Sequence, residues 1–96
     1  MPRQIDPEGR EARQLTRTVN LRGQRVLEIG CGDGRLTALY ATDSAGVLGV
    51  DIKTQDLAVA RRSMPAGAGV EFVVANTQLL PIASASIDVV IFARSL

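Results

Sequence analysis

Three glycines stand at alternate positions, Gly30, Gly32 and Gly34, between an apolar run and a segment with helical spacing. Glycine tolerates positive φ and leaves no Cβ in the way of an approaching ligand. Such a turn, placed before a helix N-terminus, is typical of a loop that holds a nucleotide-like molecule. A tight turn without a ligand would need only one glycine. The spacing therefore favours a binding loop.

The loop does not match the common phosphate-binding patterns. A pyrophosphate fingerprint reads G-x-G-x-x-G, whereas this loop reads G-x-G-x-G and Arg35 occupies the place of the last glycine. No Gly-Lys-Ser/Thr follows it either. Glu28, two residues ahead of the first glycine, would repel pyrophosphate and favour a ligand that carries positive charge. S-adenosylmethionine meets these requirements, because it has an adenosine, a sulfonium and an ammonium group but no phosphate.

Composition excludes several other kinds of site. The 96 residues include no histidine and one cysteine, so a zinc site or a Ser-His-Asp or Cys-His pair cannot be built. Cys31 is interpreted as a small buried residue rather than a nucleophile. No apolar run approaches the roughly 20 residues of a membrane span, and the polar N-terminus lacks a signal-peptide core. We expect no metal, no membrane partner and a cytoplasmic location.

Nucleic acid is also disfavoured as a partner. The formal net charge is only +1. Arginines are concentrated in the first 25 residues, but no aromatic side chains interleave with them for base stacking. We therefore interpret these arginines as a solvated helix face.

Strand and helix signals alternate along the chain and predict an α/β fold. The predicted strands are residues 26–29, 47–51, 70–75 and 87–93. Asp33 and Thr54 are predicted to cap the helices between the first three strands. An N-terminal helix is predicted over residues 7–19. We expect a single domain, with a helical segment at residues 1–22 and a βαβ core at residues 23–96.

Right-handed crossovers would arrange these strands as a Rossmann-like, doubly wound parallel sheet. The expected order is 3-2-1-4, with helices on both faces. A ligand crevice is expected at the carboxyl ends of the first and fourth strands, where the winding reverses. The three glycines fall at that crevice.

Three stretches resemble motifs of class I S-adenosylmethionine-dependent methyltransferases, in the expected order. "VLEIGCGDGRLT" is similar to the family's first motif, a strand followed by acid-x-G-x-G-x-G. "VLGVDI" resembles the second, whose acid ends the second strand. "VEFVVANTQLLPIASASIDVVIFA" resembles the stretch that follows. The broad group of small-molecule methylases called type 11 is the most similar, and the resemblance runs from residue 26 to residue 93.

For the methionine end of the cofactor, the resemblance implies a role for five residues. The backbone at Gly30, Cys31 and Gly32 would face the methionine portion. Gly34 would let the helix start close to the ligand. Glu28 would help to hold the ammonium group, through water.

For the nucleoside end, the resemblance implies four more contacts. Asp51 would accept hydrogen bonds from both ribose hydroxyls, and Ile52 would pack on the adenine face. Asn76 would take the adenine amino group, and the Thr77 amide would point at a ring nitrogen. The family usually has Asp at position 76, and Asn loses its charge. Ile87 stands where Phe or Tyr is usual.

The resemblance implies in-line methyl transfer to a small-molecule acceptor, with S-adenosylhomocysteine as product. The sequence identifies no catalytic residue, since Asp88 is interpreted as structural. One alternative is a cofactor-binding module or fragment without catalytic competence, which would need a partner or a missing C-terminal half. A fragment of a dinucleotide-binding oxidoreductase is a second alternative, disfavoured by the glycine spacing and by Glu28.

The chain looks like the N-terminal half of the family's domain, so the fourth predicted strand is expected at an open sheet edge. Its apolar run, residues 87–92, carries only one charge, on Asp88. Long apolar edges recruit partner strands. The sequence therefore predicts self-association through this strand.

Overall fold

The computed structural model describes residues 3–5, 20–76 and 86–93, and these form a five-stranded parallel sheet with two helices. The elements are, in chain order, β1 Arg3–Ile5, β2 Arg25–Ile29, α1 Arg35–Tyr40, β3 Gly46–Asp51, α2 Thr54–Ser63, β4 Val70–Val74 and β5 Val89–Phe92. Across the sheet the strands run in the order β1-β5-β2-β3-β4.

The four predicted strands are confirmed, and so is their order. They are β2, β3, β4 and β5, and they pair as β4-β3-β2-β5, which is the predicted 3-2-1-4. All of these pairings are parallel. The crossovers run from β2 through α1 to β3 and from β3 through α2 to β4. The helix predicted over residues 7–19 lies outside the described residues.

The predicted open edge at β5 is wrong, because β1 occupies it. β1 pairs in parallel with β5, and Arg3, Gln4 and Ile5 lie opposite Val89, Val90 and Ile91. Three residues are too few to show a strand period, so this pairing could not be predicted from the sequence. The basis for self-association through β5 is therefore removed.

Both described helices pack against the same face of the sheet. Tyr40 of α1 shares an apolar cluster with Val26 and Val47, which are paired in register. Leu57 of α2 packs with Phe72 of β4 in a second cluster. Phe72 lies on the same face, since Val47 pairs with Val70, two residues earlier in β4.

The opposite face of the sheet is also buried. Leu27, Val50 and Val90 form its core and are almost completely inaccessible to solvent. The expectation of helices on both faces depends, for this face, on residues outside the described ranges. Burial of both faces explains why β5 is continuously apolar, as parallel strands usually are.

A close contact between Gly49 and Phe72 joins β3 to β4. A Cβ built on Gly49 would lie 2.6 Å from Phe72 Cδ1 and 3.1 Å from Cys31 Sγ. The ring of Phe72 therefore fills the space above Gly49. Cys31 is buried in the same cluster, in agreement with its interpretation as a packing residue.

Asp88 ties the start of β5 to the start of β2. Its Oδ2 accepts hydrogen bonds from the Arg25 amide at 2.8 Å and from Arg25 Nε at 3.2 Å. The Asp88 amide donates in return to the Arg25 carbonyl, at 2.8 Å. These bonds lower the pKa of Asp88. The structural interpretation of Asp88 agrees with this geometry.

Neither helix starts with the predicted side-chain cap. The N-cap residue of α1 is Gly34 instead of Asp33, and Asp33, one residue earlier, accepts a hydrogen bond from the Arg35 amide through Oδ1 at 3.2 Å. α2 includes Thr54 itself and begins after Lys53 without a side-chain cap. Neither described helix is long and apolar enough to cross a membrane.

Candidate cofactor-binding site

The glycine loop joins β2 to α1 and has positive φ at all three glycines. The φ values are 76° at Gly30, 56° at Gly32 and 83° at Gly34. Residues with a Cβ rarely adopt this region, and glycine does so without steric cost. The backbone path therefore requires all three glycines, independently of any ligand, and the expectation that a turn without a ligand needs only one glycine is wrong for this loop.

Four backbone N–H groups of this loop donate hydrogen bonds to acceptors within the protein. The Gly30 and Cys31 amides both donate to the Val50 carbonyl, at 2.8 and 3.2 Å. The Gly34 amide donates to the Cys31 carbonyl at 3.1 Å. The Gly32 amide donates to a carboxylate oxygen of Asp51 at 2.9 Å. A phosphate cradle needs such amides to point at the ligand, and these four do not supply one.

Asp51 ends β3 and fastens the glycine loop to it. Its Oδ2 accepts from Gly32, and its Oδ1 accepts from the Lys53 amide at 3.0 Å. The side chain is largely buried, with 7% of the residue exposed. Each carboxylate oxygen can accept a second hydrogen bond. Asp51 therefore has a structural role that the sequence analysis missed, and it retains acceptor capacity for a ligand.

The missing side chain of Gly34 makes room for α2. A Cβ at this position would lie 2.8 Å from Met64 Cε and 3.0 Å from Ala60 Cβ. From the resemblance, Gly34 was expected to bring the helix start close to a ligand. The structure shows a further reason for the glycine, since it lets α1 begin directly against α2.

Glu28 lies beneath the loop, completely buried between β2 and α1. Its Oε1 accepts hydrogen bonds from Thr37 Oγ1 at 2.8 Å and from the Tyr40 hydroxyl at 2.5 Å. Its Oε2 has no hydrogen-bond partner among the described residues. Burial raises the pKa of Glu28 from 4.5 to about 7, against the opposing effect of the two hydroxyl donors.

Thr37 and Tyr40 are the site residues that sequence reasoning missed. They lie three residues apart in α1 and are both buried. Burial, together with the nearby Glu28, raises the pKa of Tyr40, so it remains a hydroxyl donor. The signal that could have identified them was their spacing, since both are polar side chains three residues apart on the helix that follows Glu28.

Three of the four residues predicted for the nucleoside end, Asp51, Ile52 and Asn76, lie at the same sheet edge. The Ala75 amide donates to the Asp51 carbonyl at 3.1 Å, which places Asn76 next to the end of β3. Ile52 is 67% exposed, an unusual setting for a large apolar residue. Asn76 is exposed as well. Thr77 lies outside the described residues. Within the described ranges, no group of three or more acidic, cysteine or histidine residues could hold a metal ion.

Comparison with known proteins gives a consistent result. The model of a methyltransferase domain family matches residues 26–96. The O-methyltransferase cnsE of Penicillium expansum is 41% identical over 85 residues, which are 78% of this chain and 30% of that protein. The chain spans 20% to 30% of the length of the first curated relatives that it matches.

Solved structures share the fold. An S-adenosylmethionine-dependent methyltransferase from Mesorhizobium loti superimposes with a TM-score of 0.71 and 26% identity, over 86% of this chain and 39% of that one. Phosphoethanolamine N-methyltransferase 1 of Haemonchus contortus, solved with S-adenosylhomocysteine, gives a TM-score of 0.73 at 23% identity, over 82% of this chain and 17% of that one. The chain therefore belongs to the methyltransferase domain family, in the Rossmann-like, S-adenosylmethionine-dependent class that its three motifs predicted.

Proposed function

We propose that the chain binds S-adenosylmethionine at the carboxyl edge of β2, β3 and β4, as the cofactor-binding part of a methyltransferase. The observation that carries the proposal is the polarity of this edge. Four loop amides are bonded internally, and two buried carboxyl groups, Glu28 and Asp51, flank the loop. Such a site suits a cationic ligand and disfavours pyrophosphate.

The residues at this edge fit the parts of the cofactor. Asp51 has acceptor capacity left for the ribose hydroxyls, and Ile52 offers an exposed apolar surface to the adenine ring. Asn76 and Thr77 would contact the edge of the adenine. Glu28, whose Oε2 has no partner within the described part of the chain, supplies negative potential beneath the methionine end. Gly30, Cys31 and Gly32 would contribute backbone atoms other than the bonded amides.

When bound, the cofactor supplies an electrophilic methyl group on a sulfonium with a good leaving group. The protein's main contribution to such a transfer is to hold donor and acceptor in line. Asp88 is engaged with Arg25 at the start of β5, so it is not available as a base at this edge. From the sequence, we also propose that the methyl acceptor is a small molecule and that the protein is cytoplasmic.

A second candidate function is cofactor binding without methyl transfer. The chain spans 20% to 30% of the length of these curated relatives, so the activity of the whole protein is part of the proposal. Under the second candidate function, the same edge binds the cofactor and another polypeptide or segment provides the acceptor site. Methyl transfer from radiolabelled cofactor to candidate acceptors would distinguish the two functions.

Titration calorimetry with S-adenosylmethionine, S-adenosylhomocysteine and NAD tests the proposal. We expect the first two to bind and NAD not to bind. Tighter binding of NAD would overturn the proposal.

Asp51→Ala should weaken cofactor binding by about 1–3 kcal/mol, since hydrogen bonds to a charged acceptor are lost. Asp43→Ala is the matched control, because Asp43 is exposed and its backbone contacts Gly23, before the start of β2. Asn76→Asp should preserve or improve affinity. Equal effects of Asp51→Ala and Asp43→Ala would contradict the assignment of Asp51.

A further inference from the structure

Glu28, Thr37 and Tyr40 form a closed group, here called the carboxyl cluster, beneath the glycine loop. Both hydroxyls donate to the same oxygen, Oε1, at 2.8 Å from Thr37 and 2.5 Å from Tyr40. The second oxygen, Oε2, is buried and has no partner among the described residues. A buried carboxylate with one unsatisfied oxygen is costly.

Among the described residues that pack against Glu28, none that the neighbouring strands, α1 or the loop contribute carries a positive charge. Glu28 lies in register with Gly49 of β3 and Ile91 of β5, neither of which carries charge. α1 contributes the Thr37 and Tyr40 hydroxyls. The loop contributes Cys31, whose thiol raises the pKa of Tyr40 electrostatically. Burial and the two hydroxyl bonds are therefore the influences that set the ionisation of Glu28.

These influences oppose each other. Burial favours the protonated carboxyl, and the two hydroxyl donors favour the carboxylate. Their balance raises the pKa of Glu28 to about 7. A cation bound over the adjacent loop would shift this balance towards the carboxylate, because charges interact strongly where water is excluded.

We propose that Thr37 and Tyr40 are positioning residues that hold Glu28 ready to lose a proton when the cationic end of the cofactor binds. This inference rests on the proposed function. On binding, the O–H bond of the Glu28 carboxyl breaks and the proton passes to solvent. The carboxylate that remains balances the positive charge of the ligand.

Affinity for S-adenosylmethionine, measured by calorimetry from pH 5.5 to 7.0, is the first test. The ligand's amino group stays charged throughout this range, since an α-amino group has a pKa of about 7.7–8.0. Release of one proton makes the affinity rise by up to roughly tenfold per pH unit below the pKa of Glu28. Glu28→Gln should give a flat profile, because the titrating group is gone.

The roles of the two hydroxyls are tested with Tyr40→Phe and Thr37→Val. Each removes a donor that favours the carboxylate, so the pH at which affinity is lost should move upwards. Ser63→Ala is the matched control, because its hydroxyl donates to the Val59 carbonyl in α2 and does not contact Glu28. A purely structural role would lower stability and leave the pH profile where it is.

A second readout needs no ligand. Carbon-13 NMR of the glutamate carboxyls, with the Glu28 signal assigned by its loss in Glu28→Gln, follows the titration of Glu28 directly. We expect a midpoint well above that of the other glutamates and a further rise in Tyr40→Phe. A normal midpoint, or one that Tyr40→Phe leaves unchanged, would overturn the inference.

The outcomes separate this inference from the proposed function. Binding of S-adenosylmethionine with a flat profile between pH 5.5 and 7.0 would overturn the proton release and leave the proposed function standing. Absence of binding at every pH would overturn the proposed function and, with it, the coupling to ligand.

Discussion

Gly34→Ala tests whether the third glycine of the loop is required by helix packing. Two costs are expected. The first is backbone strain, because φ at Gly34 is 83° and a left-handed conformation costs a residue with a Cβ about 1–2 kcal/mol. The second is steric, because the new Cβ would lie 2.8 Å from Met64 Cε and 3.0 and 3.2 Å from Ala60 Cβ and Cα. Met64 can move its terminal methyl, but the helix backbone at Ala60 cannot move easily.

Gly67→Ala is the control that separates the two costs. Gly67 has the same φ of 83°, and nothing lies within 4 Å of a Cβ built there. Gly67→Ala should therefore lower the free energy of unfolding by the backbone strain alone. A small stabilisation offsets part of this loss, because alanine makes the unfolded chain less flexible. Gly34→Ala should lose a further 1–3 kcal/mol or so, which is the usual cost of overpacking.

Urea denaturation followed by circular dichroism measures both variants. For a domain of 60–100 residues, each kcal/mol also lowers Tm by roughly 4–8 °C, so the difference should be visible in thermal melts as well. Equal destabilisation by the two substitutions would refute the reasoning, since it would mean that α2 does not press on the start of α1.

Three further predictions follow from other contacts. Because the pKa of Glu28 is raised from 4.5 to about 7, the folded state binds the proton more tightly, and stability should fall as pH rises from 4.5 to 7. Denaturation at several pH values should show that, between pH 4.5 and 7, the free energy of unfolding of Glu28→Gln rises by up to about 3 kcal/mol relative to that of the parent. Gly49→Ala should destabilise the fold by about 1–3 kcal/mol through collision with the Phe72 ring, and Phe72→Leu should relieve part of that loss in the double variant. Removal of residues 1–5 should speed amide hydrogen exchange in β5, and unchanged exchange there would show that β1 does not protect the strand.

The βαβ core could be predicted because its signals are local. Each of the strands β2, β3, β4 and β5 is an apolar run long enough to recognise, and the loops between them contain glycine, proline or aspartate. Right-handed crossovers then leave few possible strand orders, so 3-2-1-4 followed without any knowledge of contacts. The glycine loop was recognisable for the same reason, since its three positive φ angles demand three glycines in five residues.

The contacts around that loop could not be predicted in the same way. Asp51 was expected to face a ligand, yet it also accepts from the amides of Gly32 and Lys53. Gly34 was assigned to the ligand, and it also packs against Ala60, which is 26 positions further along the chain. Such contacts depend on how α2 and β3 approach the loop, and no short stretch of sequence records that approach.

The sequence by itself determined the chain's α/β class, the family motifs and the edge of the sheet at which they meet. Only the tertiary structure decided that Arg3–Ile5 pairs with β5 and that Glu28 is buried beneath Thr37 and Tyr40. The physical reason is the distance along the chain over which each interaction acts. Strand period, helical spacing and glycine φ are properties of a few consecutive residues. Edge pairing and the ionisation of a buried carboxyl depend on groups that folding brings together from distant parts of the chain.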